Sequence, residues 1–144
     1  MKLKVIYIFF LYLGAFMLFL GAFLDWTISS DLVPREMIIN AWNIAIKRIS
    51  TGVIGIAGAI ITYFTSKRQM LSLPEQKKYA LLQLIMGAIA LFIAITGVVP
   101  REKEIFYENG TGFYISLAGA MIYLMGCILL YVQLRVLLRK ESSY

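Results

Sequence analysis

The chain has no histidine, one cysteine and three prolines, and its 144 residues include only 14 basic and 8 acidic side chains. Without histidine, imidazole ligation of a metal or haem is excluded, and no thiol or hydroxyl has the usual activating base. The single cysteine, Cys127, cannot form a disulfide within the chain, and thiol oxidation that needs a cysteine pair is excluded with it. Charge is scarce as well. Charged residues are 15% of the chain and hydrophobic residues 60%, whereas a soluble domain carries about 25% charge. Too few polar groups remain to cover a water-facing surface, so lipid is the expected solvent.

Four stretches lack Lys, Arg, Asp and Glu altogether: Val5 to Leu24, Ile49 to Ser66, Tyr79 to Pro100 and Asn109 to Leu134. At about 1.5 Å of rise per residue, about 18 residues make about 27 Å of helix, close to the ~30 Å hydrocarbon core. A helix satisfies all its backbone polar groups inside one segment, which lipid requires. The expected fold is therefore an all-α integral membrane protein in one transmembrane domain. Its four helices span about 5–24, 49–66, 79–100 and 111–134. The first run follows Lys2 and Lys4 as a signal peptide would, but it is too long and ends in GAFLDW without a small-residue cleavage site. It is read as a span.

The charges between the runs set the expected orientation. The side with both termini and the 67–78 loop holds Lys2, Lys4, Lys67, Arg68, Lys77, Lys78, Arg135, Arg139 and Lys140 against Glu75 and Glu141. The other side holds Arg35, Lys47, Arg48, Arg101 and Lys103 against six acids. Positive charge marks the cytoplasmic face, so both termini are expected in the cytoplasm, with the chain in the cell membrane. The net charge of +6 is thus accounted for by topology, and no nucleic-acid partner is expected.

The two halves share phrases. LGAFMLFL from Leu13 matches MGAIALFI from Met86; Thr51-Gly52 matches Thr111-Gly112, and AGAII at Ala57 matches AGAMI at Ala118. Matched blocks in the same order predict two parallel helical-hairpin repeats related by a pseudo-twofold axis along the membrane normal. Thr51, Gly55 and Ala59 lie four apart, as do Gly112, Ser116 and Ala120. Small residues at that spacing let helix backbones approach closely in lipid, so Gly55, Ala59, Gly112, Ser116 and Ala120 are expected helix-packing positions. Ala90 and Ala94 form a shorter row.

Between the first two spans, PREMIINAWNIAIKRI from Pro34 places Met37, Ile38, Ala41, Trp42, Ala45 and Ile46 at helical spacing. An external amphipathic helix over about 34–48 is expected, with proline tolerated in its first turn. Trp26 and Trp42 suit the membrane–water interface. With Met37, Ile38 and Ile46 they make a surface expected to rest on lipid or to dock a partner protein. The other external loop carries the sequon Asn109-Gly110-Thr111, hard against the fourth span, where a glycosylating enzyme has poor access.

No ionisable residue lies inside a span, whereas proton relays and ion-coupled carriers place such residues at membrane depth. Gln83 and Gln133, the strongly polar span residues, fall near the cytoplasmic ends. Asp25, at the outer end of the first span, and Glu36, at the start of the amphipathic helix, are conceivable as a carboxylate pair whose separation the sequence does not fix, and Cys127 reads as a small buried residue. No cofactor, metal or enzymatic activity is expected. GAFLDW and TGFYISLAGAMIYLMG together resemble the GAFLPW-type first-span ending and glycine-rich last span of small uncharacterised prokaryotic four-span membrane proteins, with Asp25 where those often have proline. That resemblance implies the same four-span architecture and no assigned activity. Claudin-like proteins differ in having an external cysteine pair.

The leading functional expectation is a structural or accessory subunit of a larger membrane assembly, with lipid, other membrane subunits or its own copies as partners. A small channel or transporter formed by an oligomer is the second reading, with Thr51, Thr62, Thr65 and Ser66 as its polar candidates. A virion or vesicle membrane protein is the third. A reporter active only in the cytoplasm, fused after Tyr144, is expected to give signal; activity from an external reporter at that position instead would overturn the orientation.

Overall fold

The computed structural model describes the backbone of residues 2–25, 27–29, 36–66, 72–96 and 107–141, and the side-chain surroundings of 5–25, 44–66, 72, 74–96, 110–137 and 139. Four helices occupy nearly all of it: α1 (Lys2–Phe23), α2 (Glu36–Ser66), α3 (Leu73–Thr96) and α4 (Thr111–Glu141). Each is long and apolar enough to cross a membrane, over Val5–Phe23, Ile44–Ser66, Pro74–Thr96 and Thr111–Leu137. The outward surface is apolar too, with Phe9 at 61% and Phe92 at 67% exposure, while Thr51, Thr62, Gln83 and Ser116 are buried. An exterior of phenylalanine, isoleucine and leucine over a small, partly polar interior matches lipid as solvent.

Residue contacts fix the helix directions. Gly21 of α1 faces Gly112 and Ser116 of α4, Gly14 faces Tyr123, and Leu11 faces Gly126. Numbers falling on one helix while they rise on the other make α1 and α4 antiparallel. Gly52 against Ala22 and Gly55 against Ala15 do the same for α2 and α1. Thr62 bonded to Gln83 and Lys47 bonded to Thr96 make α2 and α3 antiparallel. The result is an up-down-up-down bundle with the beginning of α1 and the end of α4 at the same end.

Of the four principal helix interfaces, α1–α4 is the most extensive and α2–α3 the least. A Cβ on Gly14 would overlap the backbone of Tyr123, and one on Gly119 would lie 2.8 Å from Met17 Cβ and 2.9 Å from Leu18 N. Such proximity maximises dispersion contact, the force that holds helices together where lipid removes the hydrophobic drive. The matched halves do not make matched contacts. Gly14 and its sequence counterpart Gly87 both face α4 at Tyr123, Gly87 at a looser 3.3 Å.

At the end away from the termini, two three-residue strands, β1 (Thr27–Ser29) and β2 (Tyr107–Asn109), form an antiparallel ladder pairing Thr27 with Asn109 and Ser29 with Tyr107. Next to it the Gly112 amide donates to the Asp25 carbonyl at 2.9 Å. This ladder is an addition to the all-α expectation. The sequon's Asn109 belongs to β2 and its Thr111 opens α4.

A second difference concerns α2. The boundary expected between a surface helix over 34–48 and a span from 49 is absent, because α2 runs unbroken from Glu36 to Ser66, about 46 Å at the usual rise. Neither proline nor glycine occurs between Glu36 and Thr51 to interrupt it. Lys47 Nζ donates to the Thr96 carbonyl at 2.6 Å, and Arg48 lies 3.7 Å from Asp25. The ends of α3 and α1 are thus level with residues 47 and 48, and the first three turns of α2 continue past them. At the opposite end α3 starts earlier than expected. Glu75 accepts from both the Ser72 amide and hydroxyl at 2.8 Å, a serine-glutamate cap that sets the helix start before Tyr79.

Candidate functional site: a polar cluster inside the bundle

Helix packing brings together four side chains that can hydrogen-bond, from three helices. Thr62 of α2, Gln83 of α3, and Tyr123 and Cys127 of α4 are each at most 1% exposed. The Gln83 amide Nε2 donates to Thr62 Oγ1 at 2.8 Å. The Thr62 hydroxyl donates in turn to its own helix at the Gly58 carbonyl, 2.7 Å away, the local bond that lets threonine sit in an apolar helix. The Cys127 thiol donates to the Gln83 carbonyl at 3.3 Å. The Tyr123 hydroxyl lies close to the Gln83 amide and the Cys127 thiol, but outside hydrogen-bonding geometry with either.

Gly58 makes room for this arrangement. A Cβ there would come within 2.5 Å of the Tyr123 hydroxyl and 2.8 Å of its ring, so any larger residue would push Tyr123 out of the core. Gln83 is ten residues into α3 and level with the middle of α4, deeper than its place near the end of a 79–100 span suggested. Tyr123 carries no sequence signal of burial, since aromatic residues in membrane helices usually face lipid or the interface. Its spacing from Gly112, Ser116 and Gly119 on one helical face is the clue available.

The expected packing residues are placed as follows. Gly55 meets the Ala15 carbonyl at 2.6 Å and Phe19 N at 2.9 Å, and Gly112 meets the end of α1 at Leu24. Ser116 and Ala120 are fully buried and Ala59 is partly buried against the core. Ser116 Oγ is buried without a hydrogen-bond partner. Of the expected docking residues, Ile46 is exposed at the side of α2. Met37, Ile38 and Trp42 lie on the helical backbone of α2 with side chains outside the described residues, as Trp26 is altogether.

Of the conceivable carboxylate pair, Asp25 alone has a side chain within the described residues. Asp25, 90% exposed, sits beside Arg48, and Glu36 is twelve residues further along α2, about 18 Å of helix rise. An ion pair so exposed contributes little to stability, about 0–1 kcal/mol. Among the described residues no three His, Cys, Asp or Glu side chains group as a metal site would need. Among the described residues the buried polar side chains are thus neutral hydrogen-bonding groups. No protein-family model matches the chain, and no curated protein matches it.

The bonding pattern makes the substitutions unequal. Thr62→Val strands the Gln83 amide in an apolar core and should lower stability in detergent by about 1–2 kcal/mol. Adding Gln83→Met to Thr62→Val removes the stranded group and should restore most of that loss. Tyr123→Phe removes a hydroxyl with no partner and should change stability by less than about 0.5 kcal/mol. Denaturant titration of the three variants checks the ordering, and a Tyr123→Phe loss as large as that of Thr62→Val would contradict it.

Proposed function

We propose that the chain is a non-enzymatic structural or accessory subunit of a larger membrane assembly in the cell membrane, with both termini cytoplasmic. The observation that carries this reading is the contrast between the bundle's two surfaces. Inside, small residues close the seams and the polar groups face one another. Outside, α1 and α2 leave an open apolar groove of ≈ 490 Å³, with Tyr12, Phe16 and Phe19 on one wall, Ile56 and Ile60 on the other, and Gly55 and Ala59 along its floor. A concave face with small residues at its base is suited to a neighbouring transmembrane helix, because close backbone approach is what stabilises helix pairs in lipid. The basic excess on the terminal side supports the orientation.

The channel reading draws less support from the same geometry. Thr51 and Thr62 are buried within a single chain. Thr65 and Ser66 are the last two residues of α2, so the four candidates do not make a polar face running the length of a pore shared between copies. We also infer that the two hairpins arose by duplication, on the strength of the matched phrases, and that their packing has since diverged. The first three turns of α2 would carry Met37, Ile38 and Trp42 to the external interface, where a partner or lipid headgroups would cover them.

Purification in mild detergent, with native mass measurement and identification of accompanying chains, tests the assembly. The expected result is an oligomer or a complex with other membrane subunits. Ile60→Trp, which fills the groove from its exposed wall, is expected to break that association and leave the bundle folded. A monomer without partners, both in detergent and after cross-linking in the native membrane, would overturn the proposal.

A further inference from the structure

We infer that the terminal end of the bundle contains a built site for a single water molecule that joins α2 to α4. A cavity of ≈ 10 Å³ lies there among Tyr7 of α1, Thr65 of α2, Gln76 of α3 and Gln133 of α4, closed in by Leu130 and Leu134. That volume is near the about 10–15 Å³ that one water needs, and a buried water also needs two to four polar partners. Leucine alone would leave such a space dry. Here four of the surrounding side chains carry hydroxyl or amide groups.

The polar group that requires the water is Gln133 Oε1, a buried acceptor without a hydrogen-bond partner. An amide oxygen left so in an apolar surrounding is costly, and a water donating to it removes the cost. Thr65 supplies a second partner. Its hydroxyl hydrogen is shared between the Ile61 and Thr62 carbonyls, at 2.9 and 3.2 Å, so its oxygen remains an acceptor. A water donating one hydrogen to Gln133 Oε1 and the other to Thr65 Oγ1 meets the two-partner minimum and ties α4 to α2.

The position suits water exchange. Tyr7 is two residues inside the first span, Thr65 one residue from the end of the second and Gln133 four from the end of the fourth. The cavity therefore lies at the edge of the hydrocarbon. Thr65 also leads inward, one helical turn from Thr62 and the Gln83 cluster, so the water is the outermost member of a polar row that ends at Tyr123.

Water-to-amide cross-relaxation in the full chain, labelled with ¹⁵N in glutamine side chains and reconstituted in nanodiscs, tests the site. Gln133→Met identifies the Gln133 resonance by its loss. The expected result is a cross-peak between the Gln133 side-chain amide and a long-lived water. Thr65→Val should abolish it and Thr65→Ser retain it, with the buried Gln83 resonance unmoved in both variants as the check on folding. The site would be overturned if Gln133 shows no such cross-peak in the unaltered protein. A cross-peak of unchanged intensity in Thr65→Val would overturn it equally.

Discussion

The close approach of α1 to α4 is the constraint on which the rest of the bundle depends. In lipid, burying one apolar helix against another removes no water, so dispersion between nearly touching backbones must hold the pair. Gly14 and Gly21 on α1 and Gly112 and Gly119 on α4 allow that proximity at successive turns. Once the two helices are in register, the end of α1 lies beside the start of α4. This places Asp25 to accept from the Gly112 amide and brings β1 to β2. The same register turns Tyr123 inward, where Gly58 of α2 and Gly87 of α3 leave space for its ring.

Polar residues follow the same logic from the inside. The bundle holds no buried charge among the described residues, and its buried neutral groups are spread as a row. Thr65 lies near the terminal end, Thr62, Gln83 and Cys127 in the middle, and Ser116 towards the ladder. Threonine hydroxyls are satisfied by their own helix and so cost little to bury. Gln83 cannot be satisfied that way and needs Thr62 across the interface. A residue that must have one particular neighbour also specifies which helix that neighbour is on, and this complements the glycine seam, which sets distance and register.

Much of this architecture was legible in the chain. Uncharged runs of sufficient length locate four helices without any knowledge of their partners, and small residues four apart locate faces such as Gly112-Ser116-Ala120. What escaped has physical reasons. The ladder is three residues per strand, too short for an alternation to register and dependent on the α1–α4 register for its existence. Charges at Lys47 and Arg48 mark a span boundary to any count of hydrophobicity. Backbone hydrogen bonding does not respond to them, and α2 continues through both. The uncharged run begins at Tyr79 and so places Gln83 close to a span end, while the cap at Ser72 and Glu75 starts α3 at Leu73. Tyr123 was missed because a tyrosine in a membrane helix becomes a core residue only when glycines on two other helices make room for it, a relation spread across sixty-five residues of sequence.

Whether the α1–α4 seam admits a side chain at Gly119 measures its closeness directly. A Cβ there would lie 2.8 Å from Met17 Cβ and 2.9 Å from Leu18 N, so a larger residue must part the two helices. In detergent, Gly119→Leu should therefore lose about 1–3 kcal/mol of stability, while Met121→Leu, on the exposed face of the same helix, should leave it unchanged. A Gly119→Leu protein as stable as the unaltered one would contradict the seam and the bundle built upon it.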